Sequence, residues 1–382
     1  MTKRRSTLWA VLMLFAAEAV ITGLIYARIP DIKAGNGLSD AALGLVLIGM
    51  PIGNIFGFML APYMVGRVGL TKASWLSVAV LGALSLGVGF AETRFTLIVV
   101  FALLGLCLSH TEVTQNAMAG HIERTTGRRV MSRCHGGWSI GSIAGLLAGG
   151  AFSQMSIPVS VQGGVAAVAG VAAAAVLARS LPHVPRRAAV AGNARIPIKE
   201  RIPKPALLLL CILPLGTLAL EGIVRDWGAI FMRSDLGAAP FSSTLLLVVL
   251  STSMAVVRLS GDSLLERLGE RLVVAGSILC ASAGLLAIAV APSMIAALAG
   301  AAVTGVGVAV VYPVALSIAA RRFDAPERDV ATMSFICFVT LMASPAAVGF
   351  LSEAVGLRIT FAAFALLSLL ALLLLPVTGK RQ

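Results

Sequence analysis

The chain has 382 residues, of which 58% are hydrophobic and only 12% charged, and its mean hydropathy is +0.95. A soluble domain carries about 25% charged residues to cover its surface, so these proportions exclude a water-soluble globule and make lipid the main solvent. The net charge of +13 comes from 30 Lys/Arg against 17 Asp/Glu, and the placement of those cations decides what they mean.

The opening MTKRRSTLWAVLMLF has the charge pattern of a signal peptide. It lacks a small-residue cleavage site, and apolar sequence continues to Ile29, so a retained first span is expected. A hydrocarbon core about 30 Å thick needs roughly 20 apolar residues per helix. Cutting the chain at its charged and Pro/Gly-marked breaks predicts twelve spans, at 8–29, 40–65, 70–90, 95–119, 133–154, 158–179, 205–231, 241–262, 271–291, 293–319, 328–352 and 357–377. The short connections near Ser156–Pro158 and Ala291–Ser293 read as tight hairpins between antiparallel helices.

Basic residues orient the spans. With both termini inside, the inner segments carry 23 Lys/Arg; the outer ones carry Arg28, Lys33, Arg94, Arg233 and Arg358, and Arg225 and Arg258 lie within spans. That is a positive-inside bias, so the excess charge reports topology and no nucleic-acid partner is expected. The longest polar insert, 180–204, is rich in proline and Lys/Arg. It reads as a cytoplasmic linker between an N-terminal six-helix bundle, 1–179, and a C-terminal one, 205–382. Internal repetition supports two halves: ArgValGly at 67–69 returns as ArgLeuGly at 267–269, an offset of 200, and Glu18 and Glu221 sit on spans 1 and 7, an offset of 203. Five scattered cysteines have no CxxC spacing, so neither a disulfide framework nor a metal site is expected. P-loop, nucleophile-elbow and metal-ligand patterns are missing from the sequence, which argues against an enzyme.

The chain resembles the major facilitator superfamily along essentially its whole length. That family carries a Gly-x-x-x-Asp-Arg-x-Gly-Arg/Lys pattern between spans 2 and 3 and again between spans 8 and 9. Here the second copy reads AspSerLeuLeuGluArgLeuGlyGluArg, 262–271, with Glu266 in the acidic place; in the first copy, ProTyrMetValGlyArgValGly, 62–69, Gly66 replaces the acid. By this resemblance Arg258, Asp262, Glu266 and Arg267 are the candidate gate network. Finer features resemble a bacterial branch that includes the rhizopine-transport (Mos-type) proteins and is distantly similar to fucose permeases. They are ArgIleProAspIleLys (28–33), GluValThrGlnAsn (112–116), MetSerArgCysHisGlyGlyTrpSerIleGly (131–141) and GluGly…AspTrp (221–227). The resemblance implies an all-α polytopic membrane protein of that fold, with twelve helices in two pseudo-symmetric six-helix bundles.

A charge at mid-bilayer costs at least ~2.5–3.5 kcal/mol, so each acid inside a span should face a cavity or a partner. Glu18 lies near the centre of span 1. Glu112 lies on span 4 beside His110, Gln115 and Asn116, and positions 112 and 116 share a helical face. Fucose permeases use an acid on span 1 and another on span 4, so the resemblance implies that Glu18 and Glu112 couple protons and contact solute. A buried carboxyl group can take up a proton on one side and release it when the cavity opens to the other. On span 7, Glu221 and Arg225 are spaced as an intrahelical pair, with Asp226 pointing elsewhere and Trp227 offering a ring face.

His135 opens span 5 as a candidate gate sensor. Behind it the glycines Gly137, Gly141, Gly145 and Gly149, like Gly49, Gly53 and Gly57 on span 2, allow close helix approach and are expected where the halves meet. TyrPro at 312–313 should break span 10, presenting Tyr312 to the cavity.

The expected activity is secondary active transport of a small hydrophilic solute (a sugar, cyclitol or amino-cyclitol) by proton symport. Candidate ligands are Glu18, Glu112, Gln115, Asn116, Glu221, Trp227 and Tyr312, and the charge network includes His135, Arg225 and Asp226. No cofactor is expected beyond the proton gradient as energy source. The expected setting is a monomer in the lipid of the bacterial inner membrane. The competing readings are drug/proton antiport, disfavoured because 141–150 lacks a Gly-Pro pair, and a non-transporting solute sensor.

Overall fold

The computed structural model describes residues 2–127, 130–184, 205–322 and 326–378, and every element among them is helical. Among the described residues, ten stretches are long and apolar enough to cross a membrane. One of them, Thr332–Pro376, has 45 residues, long enough to cross twice, and its backbone is broken at Gly356, φ 83. The 24-residue helix Met131–Gln154 stands where span 5 is expected, outside those ten. Together they make the expected twelve.

The chain divides into two compact units, Met1–Val190 with Ala239–Thr244, and Ala191–Ala238 with Leu245–Gln382. The first holds α1 (Thr2–Ala27), α2 (Ile29–Gly35), α3 (Asp40–Leu47), α4 (Gly49–Val68), α5 (Leu70–Val88), α6 (Arg94–Thr126), α7 (Met131–Gln154) and α8 (Val159–Ser180). Its main pairings are α1 on α7, α5 on α8 and α4 on α6. Next come α9 (Pro205–Ile212), α10 (Leu215–Ser234), α11 (Pro240–Leu268), α12 (Glu270–Ala289), α13 (Met294–Val308), α14 (Val311–Arg322), α15 (Pro326–Leu341) and α16 (Ser344–Ser368), followed by a 3₁₀ segment, Leu369–Thr378. In the second unit α12 packs on α13 and α16, and α10 on α16.

Helix starts and stops follow local chemistry. Ser39 and Ser293 accept from the backbone N–H groups of Ala42 and Ala296, and Thr93 makes a reciprocal capping box with Thr96. Breaks near residues 48, 213, 309 and 342 lie at or just before Pro51, Pro214, Pro313 and Pro345. Proline lacks the N–H and its ring crowds the carbonyl four residues back. At Pro313 that carbonyl belongs to Ala309, and Arg258 of α11 donates to it instead, Nε to oxygen at 3.2 Å. The break expected at TyrPro 312–313 therefore falls one turn earlier, at Ala309–Val310.

The repeat is written into the backbone at one spacing. Left-handed φ angles occur at Gly37 and Gly237, at Gly69 and Gly269, and at Ser156 and Gly356. Thr93 and Ser293 cap corresponding helices. Gly105 sits against the Met50 carbonyl and Gly305 against that of Leu250. Every pair differs by 200 residues, the spacing of the ArgValGly and ArgLeuGly tripeptides. Glu18 and Glu221 stand three residues out of that register.

The glycine stripes give the close helix approach that their spacing suggests, each against a helix of its own unit. A Cβ on Gly141 would come 2.4 Å from the Ala16 carbonyl oxygen, and one on Gly145 would come 2.3 Å from that of Val20, both on α1. Gly49, Gly53 and Gly57 lie in the same way on α6, against Ile98, Ala102 and Leu106. Spacing announces a close approach, but it does not name the helix that approaches.

Candidate functional site

Close packing of α1 on α7 brings two side chains together across the seam. Glu18, near the middle of α1, is 2% exposed. Its Oε2 accepts from the indole Nε1 of Trp138 at 2.6 Å, and Trp138 lies between Gly137 and Gly141 on α7. Its Oε1 accepts from the Thr22 hydroxyl at 2.9 Å, and the same hydroxyl lies 3.0 Å from the Glu18 backbone carbonyl. From α6 the Gln115 side chain also interacts with the Glu18 carboxyl group, and Glu112 is within coulombic reach.

Of the expected solute ligands, Glu18, Glu112 and Gln115 thus share one neighbourhood. Gln115 is 3% exposed, and its Oε1 is buried without a hydrogen-bond partner. Glu112 is exposed and Asn116 half-buried, and neither makes a hydrogen bond or ion pair to another described residue. Trp138 and Thr22 are absent from the sequence-derived candidates. Thr22 has a signal, since it stands one helical turn from Glu18. Trp138 has only its place between two glycines of a stripe.

The remaining candidates take other roles. His135 is exposed and sets its ring edge-on to Phe15, centroids 5.3 Å apart. In the second unit Arg225 stands between two acids, 3.7 Å from Glu221 and 3.6 Å from Asp226, so Asp226 does not point away from the pair. Trp227 is fully buried, a core side chain rather than an accessible ring face, and its Nε1 has no hydrogen-bond partner. Tyr312 is half-buried and its hydroxyl donates to Ser334 Oγ at 3.0 Å.

Three of the four expected gate residues have described side chains. Arg258 serves the Ala309 carbonyl; Glu266 and Arg267 are exposed and, among the described residues, form no ion pair. The side chain of Asp262 lies outside the described residues. The ion pair beside this turn joins Glu270, in the first turn of α12, to Arg321 of α14. Among the described residues no group of three metal-ligating side chains occurs.

Arg28, which the sequence presents only as an outer-segment cation, is 3% exposed. It pairs with Asp31, donates to Gln162 Oε1 at 3.0 Å and to the Ile157 carbonyl at 2.7 Å, and Gln162 in turn donates to the Leu24 carbonyl at 3.0 Å. In the second unit Arg358 donates to the carbonyls of Ala289 and Ala291, at 2.9 and 3.0 Å. Each unit thus ties a hairpin shut with one guanidinium.

Comparison with known proteins agrees with this architecture. The family model of the Major Facilitator Superfamily matches residues 8–224 and 227–382. The chain is 26% identical over 367 residues to the uncharacterized transporter y4wD of Sinorhizobium fredii, covering 95% of this chain and 96% of that one. It is 26% identical over 356 residues to the membrane protein MosC of Rhizobium meliloti, covering 93% and 86%. Among solved structures, a mutant of the nucleoside transporter NupG superposes with a TM-score of 0.80 at 14% identity, covering 98% of this chain and 100% of that one. A bacterial homologue of the human lysosomal transporter Spinster, inward-facing and occupied, gives 0.70 at 17% identity, covering 99% and 97%. A helical chain with two repeated units, matched by the family model over nearly every residue, is a multi-pass membrane protein that moves a small-molecule solute and is not an enzyme: it belongs to the major facilitator superfamily.

Proposed function

We propose that the chain is a proton-coupled symporter of a small hydrophilic solute, a sugar, cyclitol or amino-cyclitol. It acts as a monomer in the bacterial inner membrane, with both termini and the 180–204 linker in the cytoplasm. The observation that carries this reading is the pair of acids in the first unit. Glu18 is buried among hydrogen-bond donors, and Glu112 stands beside it, exposed and without a partner among the described residues. Among those residues no Lys or Arg makes an ion pair or hydrogen bond with either acid, so bound protons or solute donors are their natural counterparts. A polyol offers several hydroxyl donors to such acceptors, and Gln115 adds an unused carbonyl oxygen. The relationship to MosC bears on the family and the TM-scores on the fold alone, so the choice of solute class rests on the chemistry of these side chains.

The test is uptake into proteoliposomes under an imposed pH gradient, screened over sugars, inositols and cationic dyes. Uptake of one of the first two classes that rises with inward proton flow is expected. Glu112→Gln should lose most of it, and Glu18→Gln should lose coupling while retaining exchange. Gradient-insensitive uptake, or proton-driven expulsion of the dyes, would defeat the reading.

A further inference from the structure

The surroundings of Glu18 contain more than a carboxyl group needs if its charge never changes. An indole N–H can only donate, so Oε2, 2.6 Å from Trp138 Nε1, must be an acceptor in every state. A proton on Glu18 also needs an acceptor, and of the two oxygens Oε1 is the one whose hydrogen-bonded neighbour can accept. That oxygen meets a hydroxyl, which can donate or accept. The Thr22 hydroxyl has a second acceptor in reach, the Glu18 backbone carbonyl at 3.0 Å, besides Oε1 at 2.9 Å.

We propose that Thr22 and Trp138 are positioning residues that make Glu18 a two-state proton switch. In the ionised state the Thr22 hydroxyl donates to Oε1. When Oε1 takes up a proton, its new O–H donates to Thr22 Oγ1, and the threonine hydrogen turns to the Glu18 carbonyl. One proton is gained and no O–H or N–H loses its acceptor. Trp138 holds Oε2 throughout, so α1 stays tied to α7 while the charge comes and goes.

The groups around this triad leave the switch to Glu18. Among the described residues, Glu112 and Cys107, both on α6, are titratable side chains in electrostatic reach of it. Gln115 on α6 is uncharged. On α7, His135 is set against Phe15, and Arg133 is exposed near the start of the helix. The single charges of α5 and α8, Lys72 and Arg179, lie in the first turn of one and the last turn of the other.

This inference rests on the proposed proton coupling, but its test needs no solute. Purified protein is titrated with acid alone, reading the carboxylic-acid C=O infrared band and tryptophan fluorescence together. A band that vanishes in Glu18→Gln is expected, with a fluorescence step of the same midpoint that vanishes in both Glu18→Gln and Trp138→Phe. Thr22→Val, which keeps the shape and deletes the hydroxyl, should change proton affinity tenfold or more, and Thr22→Ser should restore the wild-type midpoint. Thr22→Ser and Trp138→Phe preserve volume closely enough for the folded protein to be titrated.

A band unaffected by Glu18→Gln, or midpoints identical in wild type and Thr22→Val, would overturn the proposal. If the switch titrates as described and uptake ignores the pH gradient, the transport reading fails and the switch stands. If uptake follows the gradient while Glu18 does not titrate, the switch fails and the transport reading stands.

Discussion

Gly53→Ala tests the packing that underlies the first unit. A Cβ at that position would lie 1.8 Å from the Ala102 carbonyl oxygen and 2.7 Å from both Ala102 C and Leu106 N, all backbone of α6. Ordinary contact begins near 3.4 Å, so α4 and α6 must part by about 1.6 Å. The same movement would loosen the neighbouring close approaches of Gly49 and Gly57. Overpacking costs typically about 1–3 kcal/mol, and backbone on both sides places this case at the upper end. Alanine's better helix propensity returns about 1 kcal/mol, leaving a net loss of about 2 kcal/mol.

Gly66→Ala, on the same helix with nothing within 4 Å of a Cβ, is the control. It receives the propensity gain alone. Thermal unfolding in detergent can be followed with a thiol-reactive dye, because Cys107, Cys134, Cys211 and Cys337 are free and buried until the chain opens. At about 2–4 °C per kcal/mol for a unit of this size, Gly53→Ala should melt about 4–8 °C below wild type, with Gly66→Ala at or slightly above it. If Gly53→Ala melts as high as Gly66→Ala, the close approach of α4 and α6 is refuted.

The same melting assay checks three further expectations. Arg28→Met leaves Asp31, Gln162 and the Ile157 carbonyl short of a donor and should cost about 3 kcal/mol; adding Gln162→Leu should cost less in that background than alone. Ser156, at φ 55, is the one left-handed position among the described residues not occupied by glycine, and Ser156→Gly should stabilise by about 1 kcal/mol. Trp227→Phe removes an N–H that has no partner and should cost less than about 1.5 kcal/mol, whereas Trp227→Ala, emptying a fully buried site, should cost about 3–5 kcal/mol.

The spans, their caps and their proline breaks are legible in the sequence because they depend on residues within one turn of each other. Glu18 and Glu112 are legible as anomalies, since an acid in an apolar run needs a reason to be there. What sequence does not supply is the partner across a distance. Trp138 lies 120 residues from Glu18, and Gln162 lies 134 from Arg28. Nothing near Arg28 distinguishes a cation at a span end from one buried in a cage. The Gly137–Gly149 series advertises a small-residue face, and the choice of α1 as its neighbour comes from the folded unit. Arg225 can be matched to Glu221 by spacing, but its reach to the adjacent Asp226 depends on rotamer.

The constant offset of 200 between corresponding joints has a consequence for how the two halves can differ. Between Gly37 and Ser156, and again between Gly237 and Gly356, the chain keeps a common ruler: any net insertion or deletion in one half would have displaced the later pairs relative to the earlier ones. The halves therefore diverge there by what is hung on the scaffold. Where the first unit has Glu112, Gln115 and Trp138, the second has Tyr312, Ala315 and Phe338. A phenol stands where the first half has a carboxylate, a methyl where it has an amide, and a bare ring where it has a donor-bearing one, so the chemistry of Glu18's neighbourhood belongs to one half, carried by side chains on a residue spacing that both halves share.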